Sequence, residues 1–143
     1  MHLTKFYLPL VILSFSAGFA ARDLSKPSAP AILTRMDSCL NTFNPDEAVA
    51  TDAGWIHWFT KKELSRGLNL KMTRVDKQQA YHPAHKHNDP EIILVLEGEA
   101  RLTLEDEERI VPQNTSLFCP PGLMHGISRA SDKPLRYLII RTQ

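Results

Sequence analysis

Two short stretches of this chain carry metal-ligand chemistry at fixed spacing, and any fold it adopts must bring them together. The first reads His85-Lys86-His87-Asn88-Asp89-Pro90-Glu91 and runs on through six residues to Gly98. The second reads Pro120-Pro121-Gly122-Leu123-Met124-His125. Side chains alternate faces along a strand, so His85, His87 and Glu91 share one parity and are expected to point the same way. Three imidazoles and a carboxylate meeting at one point make a mixed N/O site for a divalent transition metal.

At this spacing the sequence resembles the cupin superfamily. The first cupin motif runs His-x-His, three or four residues, Glu, six residues, Gly; the second contains Pro-x-Gly-x-x-His. The resemblance covers about residues 68–141, and all four ligand types stand in place. It departs at three other positions. Gln79 and Asn114 stand where the two motifs open with Gly, and Arg129 stands where the second ends with Asn.

The resemblance implies an all-β fold, the cupin double-stranded β-helix: a small jelly-roll barrel with one site. It also implies that His85, His87, Glu91 and His125 hold one divalent transition metal ion. Neutral imidazoles with a carboxylate suit Mn, Fe, Ni, Cu or Zn, and affinity alone does not choose among them.

The residue pattern independently favours β structure. Residues 68–75 alternate cleanly, with Leu68, Leu70, Met72 and Arg74 on one face. Residues 55–59 form a compact apolar run containing both tryptophans, which read as core or interface packing. Residues 92–96 are apolar on both faces, as in a strand buried twice over. Residues 100–104 alternate again, acidic residues 105–108 make a solvated hairpin tip, and Pro120-Pro121-Gly122 makes a rigid corner. The last strand is expected over residues 135–141. There is no internal repeat.

The N-terminus reads differently. Lys5 precedes an apolar stretch over residues 6–19, and Gly18-Phe19-Ala20 offers small residues at the positions a signal peptidase needs. Residues 1–20 are therefore expected to be a signal peptide, too short to cross a bilayer comfortably, with an uncleaved membrane anchor as the alternative. Residues 21–54, broken by Pro27, Pro30 and Pro45, form an irregular N-terminal arm, with a short turn of helix conceivable over residues 31–40. By the resemblance such an arm lies across the barrel or a neighbouring subunit. Residues 55–143 are the barrel domain. The expected location is secreted or periplasmic, with no stable membrane span after cleavage.

Cleavage removes Lys5, one of 17 basic residues, and leaves 16 against 16 acidic. A chain so balanced, with no long block of like charge, is not steered to nucleic acid or an anionic membrane. Its expected partners are a small-molecule ligand or substrate and a second copy in a homodimer. In an oxidising compartment Cys39 and Cys119 either pair as a disulfide or leave Cys119 as a buried thiol, with a metal-ligating Cys119 as the third alternative.

Around the metal, Tyr137 is a candidate acid or substrate hydrogen bond, and Arg101 a candidate carboxylate fork. His82 has the opposite parity to His85 and is expected to lie outside the ligand set, although Pro83 disturbs the phase. His57 reads as a packed or exposed histidine. No Ser/His/Asp set, phosphate loop or dinucleotide fingerprint competes with the metal site. The first functional expectation is a metal-dependent enzyme on a small oxygenated substrate: a sugar, a uronic-acid derivative or another carboxylate, converted by tautomerisation or elimination. An Fe-dependent dioxygenase and a non-catalytic binding or sensing cupin are the alternatives, because a fold of this kind hosts many chemistries.

Overall fold

The computed structural model describes residues 36–60, 67–78 and 80–142. The proposed signal peptide lies outside the described residues. A single helical turn, Met36–Cys39, and a 3-10 turn, Pro45–Glu47, lead into ten strands. These are β1 (Val49–Ala50), β2 (Gly54–Trp58), β3 (Leu68–Val75), β4 (Ala80–His85) and β5 (Glu91–Glu97). They continue with β6 (Glu99–Leu104), β7 (Glu107–Pro112), β8 (Ser116–Cys119), β9 (His125–Arg129) and β10 (Leu135–Thr142).

All pairings are antiparallel and fall into two sheets, β1-β2-β3-β10-β5-β8 and β4-β9-β6-β7. The all-β jelly-roll expectation holds. The arm is less irregular than expected, since Val49 and Ala50 pair with Ile56 and Trp55 and start the first sheet. Phe43 stacks on Trp55 at 4.9 Å and meets the edge of His57 at 5.1 Å, so the arm lies on the outer face of that sheet. His57 is buried beneath it, packed as its isolated position suggested.

Alternation sorts each strand into an inner and an outer face. Ile93, Val95, Leu135, Tyr137, Ile139, Ala100, Leu102 and Ile127 form the core between the sheets. On β3 the residues that pair with this inner set are Lys71, Thr73 and Val75. The face shared by Leu68, Leu70, Met72 and Arg74 is therefore the outer one, although Met72 is buried there. The run at residues 92–96 buries only one face within the chain: Ile93 and Val95 are inside, while Ile92 is 39% exposed.

Two turns explain how the chain moves between the sheets. Gly98 has φ +79°, and a Cβ there would sit 2.4 Å from the carbonyl oxygen of Pro134, so no other residue fits between β5 and β6. Asn114 occupies its turn at φ +65°. Asparagine tolerates this left-handed conformation better than most residues, which accounts for its standing where the motif opens with glycine.

Candidate metal centre

The three histidines and Glu91 do not share one strand. His85 is the last residue of β4, His87 lies in the connection, and Glu91 is the first residue of β5 in the other sheet. Strand parity alone thus does not bring them together. The chain crosses from one sheet to the other at this point, and the crossing folds the first motif around a centre. His125, first residue of β9, pairs with His85 and completes the set from the far side.

The donor atoms of His85, His87 and His125 lie within 4.8 Å of one another. Glu91 Oε2 is 3.2 Å from His87 Nε2, and Glu91 Oε1 is 3.7 Å from His125 Nε2. Each of the three imidazoles is held at its other nitrogen. Nδ1 of His85 donates to the carbonyl of Pro83 at 2.9 Å, that of His87 to Asp89 at 2.7 Å, and that of His125 to Leu123 at 2.9 Å. A carbonyl only accepts, so Nδ1 carries the proton and every Nε2 lone pair is left to the centre. This is how metal-binding imidazoles are oriented.

A metal ion fits this arrangement. Glu91 Oε1 and His125 Nε2 are buried without a hydrogen-bond partner among the described residues, a costly state unless something else binds them. Ligand atoms each ~2.1 Å from one ion lie within ~4.2 Å of each other, close to the spread seen. The N/O donor set suits a divalent transition metal.

Cys119 borders the same centre, with its sulfur within 4.8 Å of the donor atoms of Glu91 and His125. Neither cysteine is in a disulfide: Cys39 is exposed and Cys119 is a buried free thiol. Burial first, then the Glu91 charge, pushes the Cys119 thiol up to about 12, so it stays protonated. A thiol held this way packs as a small apolar group.

The wall beside the cluster carries a second polar chain. Lys71 Nζ donates to His82 Nε2 at 3.1 Å, and His82 Nδ1 then donates to the Tyr137 hydroxyl oxygen at 2.7 Å. His82 faces inward because β4 is irregular on both sides of it, so that His82 pairs with Ile127 while His85 pairs with His125. These bulges cancel the parity difference. His82 is no member of the donor cluster, but its ring lies 6.0 Å from that of His85. Burial, then the charges of Lys71, His85 and His125, push it down to about 3, so it is neutral at ordinary pH.

Tyr137 is fully buried on the inner face of β10. Arg101 is not brought to the cluster. It lies on the outer face of β6, side chain 44% exposed, in an ion pair with Glu108.

One contributor escaped the sequence. Glu105, read as part of a solvated tip, accepts a hydrogen bond from the Met124 amide at 2.8 Å and donates its own amide to the Met124 carbonyl at 2.8 Å. It clamps the residue before His125. Its place opposite the second motif in the β6–β7 turn is a tertiary fact without a local signal.

Comparison with known proteins agrees with this geometry. The cupin domain family matches residues 71–141, about half the chain. No curated protein matches it by sequence. Among solved structures, a Photorhabdus luminescens protein superposes with TM-score 0.61 at 16% identity, covering 73% of this chain and 87% of its own. An RmlC-like cupin from Shewanella frigidimarina gives 0.58 at 16%, covering 70% and 87%. A Thermotoga maritima protein described as a predicted oxalate decarboxylase gives 0.59 at 16%, covering 67% and 90%. Likeness at this identity speaks for the fold, and the matched motifs with their converging ligands speak for the family: the chain belongs to the cupin superfamily.

Proposed function

We propose that this cupin is an exported metal-dependent enzyme that isomerises or eliminates a small oxygenated substrate, such as a sugar, a uronic-acid derivative or another carboxylate. The observation that carries the reading is the set of three imidazoles, each tied at Nδ1 to a backbone carbonyl, around a buried carboxylate with an unpartnered oxygen. His85, His87, His125 and Glu91 would hold the ion. Bound there, a divalent ion supplies a Lewis acid that polarises a carbonyl or acidifies a water.

The remaining chemistry belongs to the wall. Lys71, His82 and Tyr137 form a continuous hydrogen-bonded chain along which a proton can be held next to the cluster. Tyr137 enters this reading through His82, which it orients. Arg101, turned outward, has no place in it.

The test uses protein stripped of metal and reloaded separately with Mn²⁺, Fe²⁺, Ni²⁺ and Zn²⁺. Proton NMR follows keto acids, unsaturated uronates and catechols, with an oxygen electrode on the Fe²⁺ sample. Metal-dependent conversion without oxygen uptake, abolished by His125→Ala, supports the proposal. Oxygen uptake would replace it by a dioxygenase, and saturable binding of an unchanged compound by a binding or sensing module.

A further inference from the structure

Strand β10 carries one arginine onto the inner wall beside the cluster. Arg141 is the register partner of Asn69 on β3 and of Glu91 on β5. Residues directly opposite in antiparallel strands present their side chains to the same face, so these three form one line. In the next line Lys71 stands between Trp58 on β2 and Ile139 on β10. Together the six line a cavity of about 180 Å³. That is room enough for a small acid with its hydrating waters.

Its charges are unequal. Glu91, the one carboxylate of the lining, is turned to His87 and His125. Lys71 is held by His82 at 3.1 Å and stands over the Trp58 ring, 5.3 Å from its centroid. Among the described residues the Arg141 guanidinium has no ion pair or hydrogen bond with any other group. Two cations in a concave wall, one without a partner, attract an anion. A planar guanidinium matches the two oxygens of a carboxylate, and Asn69 adds a neutral donor beside it.

We infer that this cavity is a carboxylate subsite, in which Arg141 and Lys71 hold the carboxylate of a small mono- or dicarboxylic acid next to the Glu91 end of the donor cluster. The inference deepens the proposed function and rests on it only for what the rest of the ligand meets. Neither Arg141, Lys71 nor Asn69 belongs to the donor cluster.

Isothermal titration at low ionic strength tests it, with Zn²⁺-loaded and metal-free protein and malonate, malonamide and inorganic phosphate as probes. Metal content is measured on every sample. Malonate should bind, malonamide about tenfold or more weaker, and phosphate no better than malonate. Arg141→Gln and Lys71→Gln should each weaken malonate by about tenfold, and Arg141→Lys should restore part of it, all at unchanged metal content and unchanged circular dichroism. Malonate binding untouched in both glutamine variants, equal binding of malonamide, or tighter binding of phosphate would overturn the subsite. A protein that takes up no metal, yet binds malonate in an Arg141-dependent way, would keep the subsite and sink the metal centre alone.

Discussion

The amide of Gly122 donates a hydrogen bond to the carbonyl of His87 at 2.8 Å, which ties the turn of the second motif to the loop of the first. The two stretches that supply the candidate ligands are therefore joined through their backbones as well as through any ion between them. Gly122 holds this position at φ +81°, with nothing within 4 Å of where a Cβ would stand. Space is open there, so the backbone angle alone disfavours other residues.

Gly122→Ala should accordingly cost about 1–2 kcal/mol of stability, the strain of a left-handed alanine. It should also weaken metal binding, because the tilted turn carries His125. Glu105→Ala, which frees Met124 on the other side of His125, should weaken metal binding with a smaller loss of stability. Urea melts and metal titrations on both variants check the pair; wild-type affinity in both would show that the backbone tie does not position His125.

Metal should bind at about one ion per chain, with affinity falling as pH drops through ~6.5, because only neutral imidazoles ligate. His87→Ala and Glu91→Ala should lose most of it. Cys119→Ala should retain it, since the three imidazoles and Glu91 supply four donors without the thiol. Metal analysis after dialysis against chelator decides, and loss in Cys119→Ala with retention in Glu91→Ala would redraw the ligand set.

His82 makes the metal-free protein acid-sensitive. Its folded pKa of about 3 lies below the unfolded value of 6.5. The unfolded chain therefore takes up a proton that the folded chain refuses, and stability falls as pH falls from 6.5 toward 3. Above 6.5 the contribution is fully present. His82→Gln keeps a donor and an acceptor but does not titrate, so its melting temperature should fall less steeply over that range. Equal slopes in the two proteins would count against a buried neutral His82.

How much of this was legible in the sequence differs between the fold and the site. The convergence of the two motifs and the β architecture could be read because motif spacing and alternation are local properties. His82 stays outside the donor cluster as parity suggests, yet its ring faces inward, because bulges around Pro83 are set by pairing with β9 and the sequence carries no register. The inner face of β3 went unread for a related reason: Leu68, Leu70 and Met72 look like core, yet Lys71 and Thr73 face the barrel interior. Arg141 sits in an ordinary alternating strand, and only its register with Glu91 gives it a neighbourhood.

Export should remove residues 1–20 and leave Ala21 as the new N-terminus, on the strength of the apolar run ending in Gly18-Phe19-Ala20. N-terminal sequencing of protein recovered from the host checks it, and soluble protein retaining Met1 would refute it.

The outer face of the first sheet should be covered by a second copy of the chain. Register places Phe118, Ile92, Ile140 and Leu70 in one line across β8, β5, β10 and β3, all turned away from the barrel core. Phe118 is 57% exposed and Ile92 39%, so this line presents apolar side chains to water. A monomer rarely leaves a contiguous strip of this kind uncovered. The strip lies on a sheet face and carries no charge of its own, which suits the self-complementary contact of a two-fold dimer. Light scattering at tens of micromolar should give twice the chain mass. Ile92→Lys and Phe118→Lys should each give the monomer mass while leaving metal content at one ion per chain, because the ligands face the other way. A wild-type monomer at that concentration would refute the dimer, and dimers persisting in both variants would place the contact elsewhere.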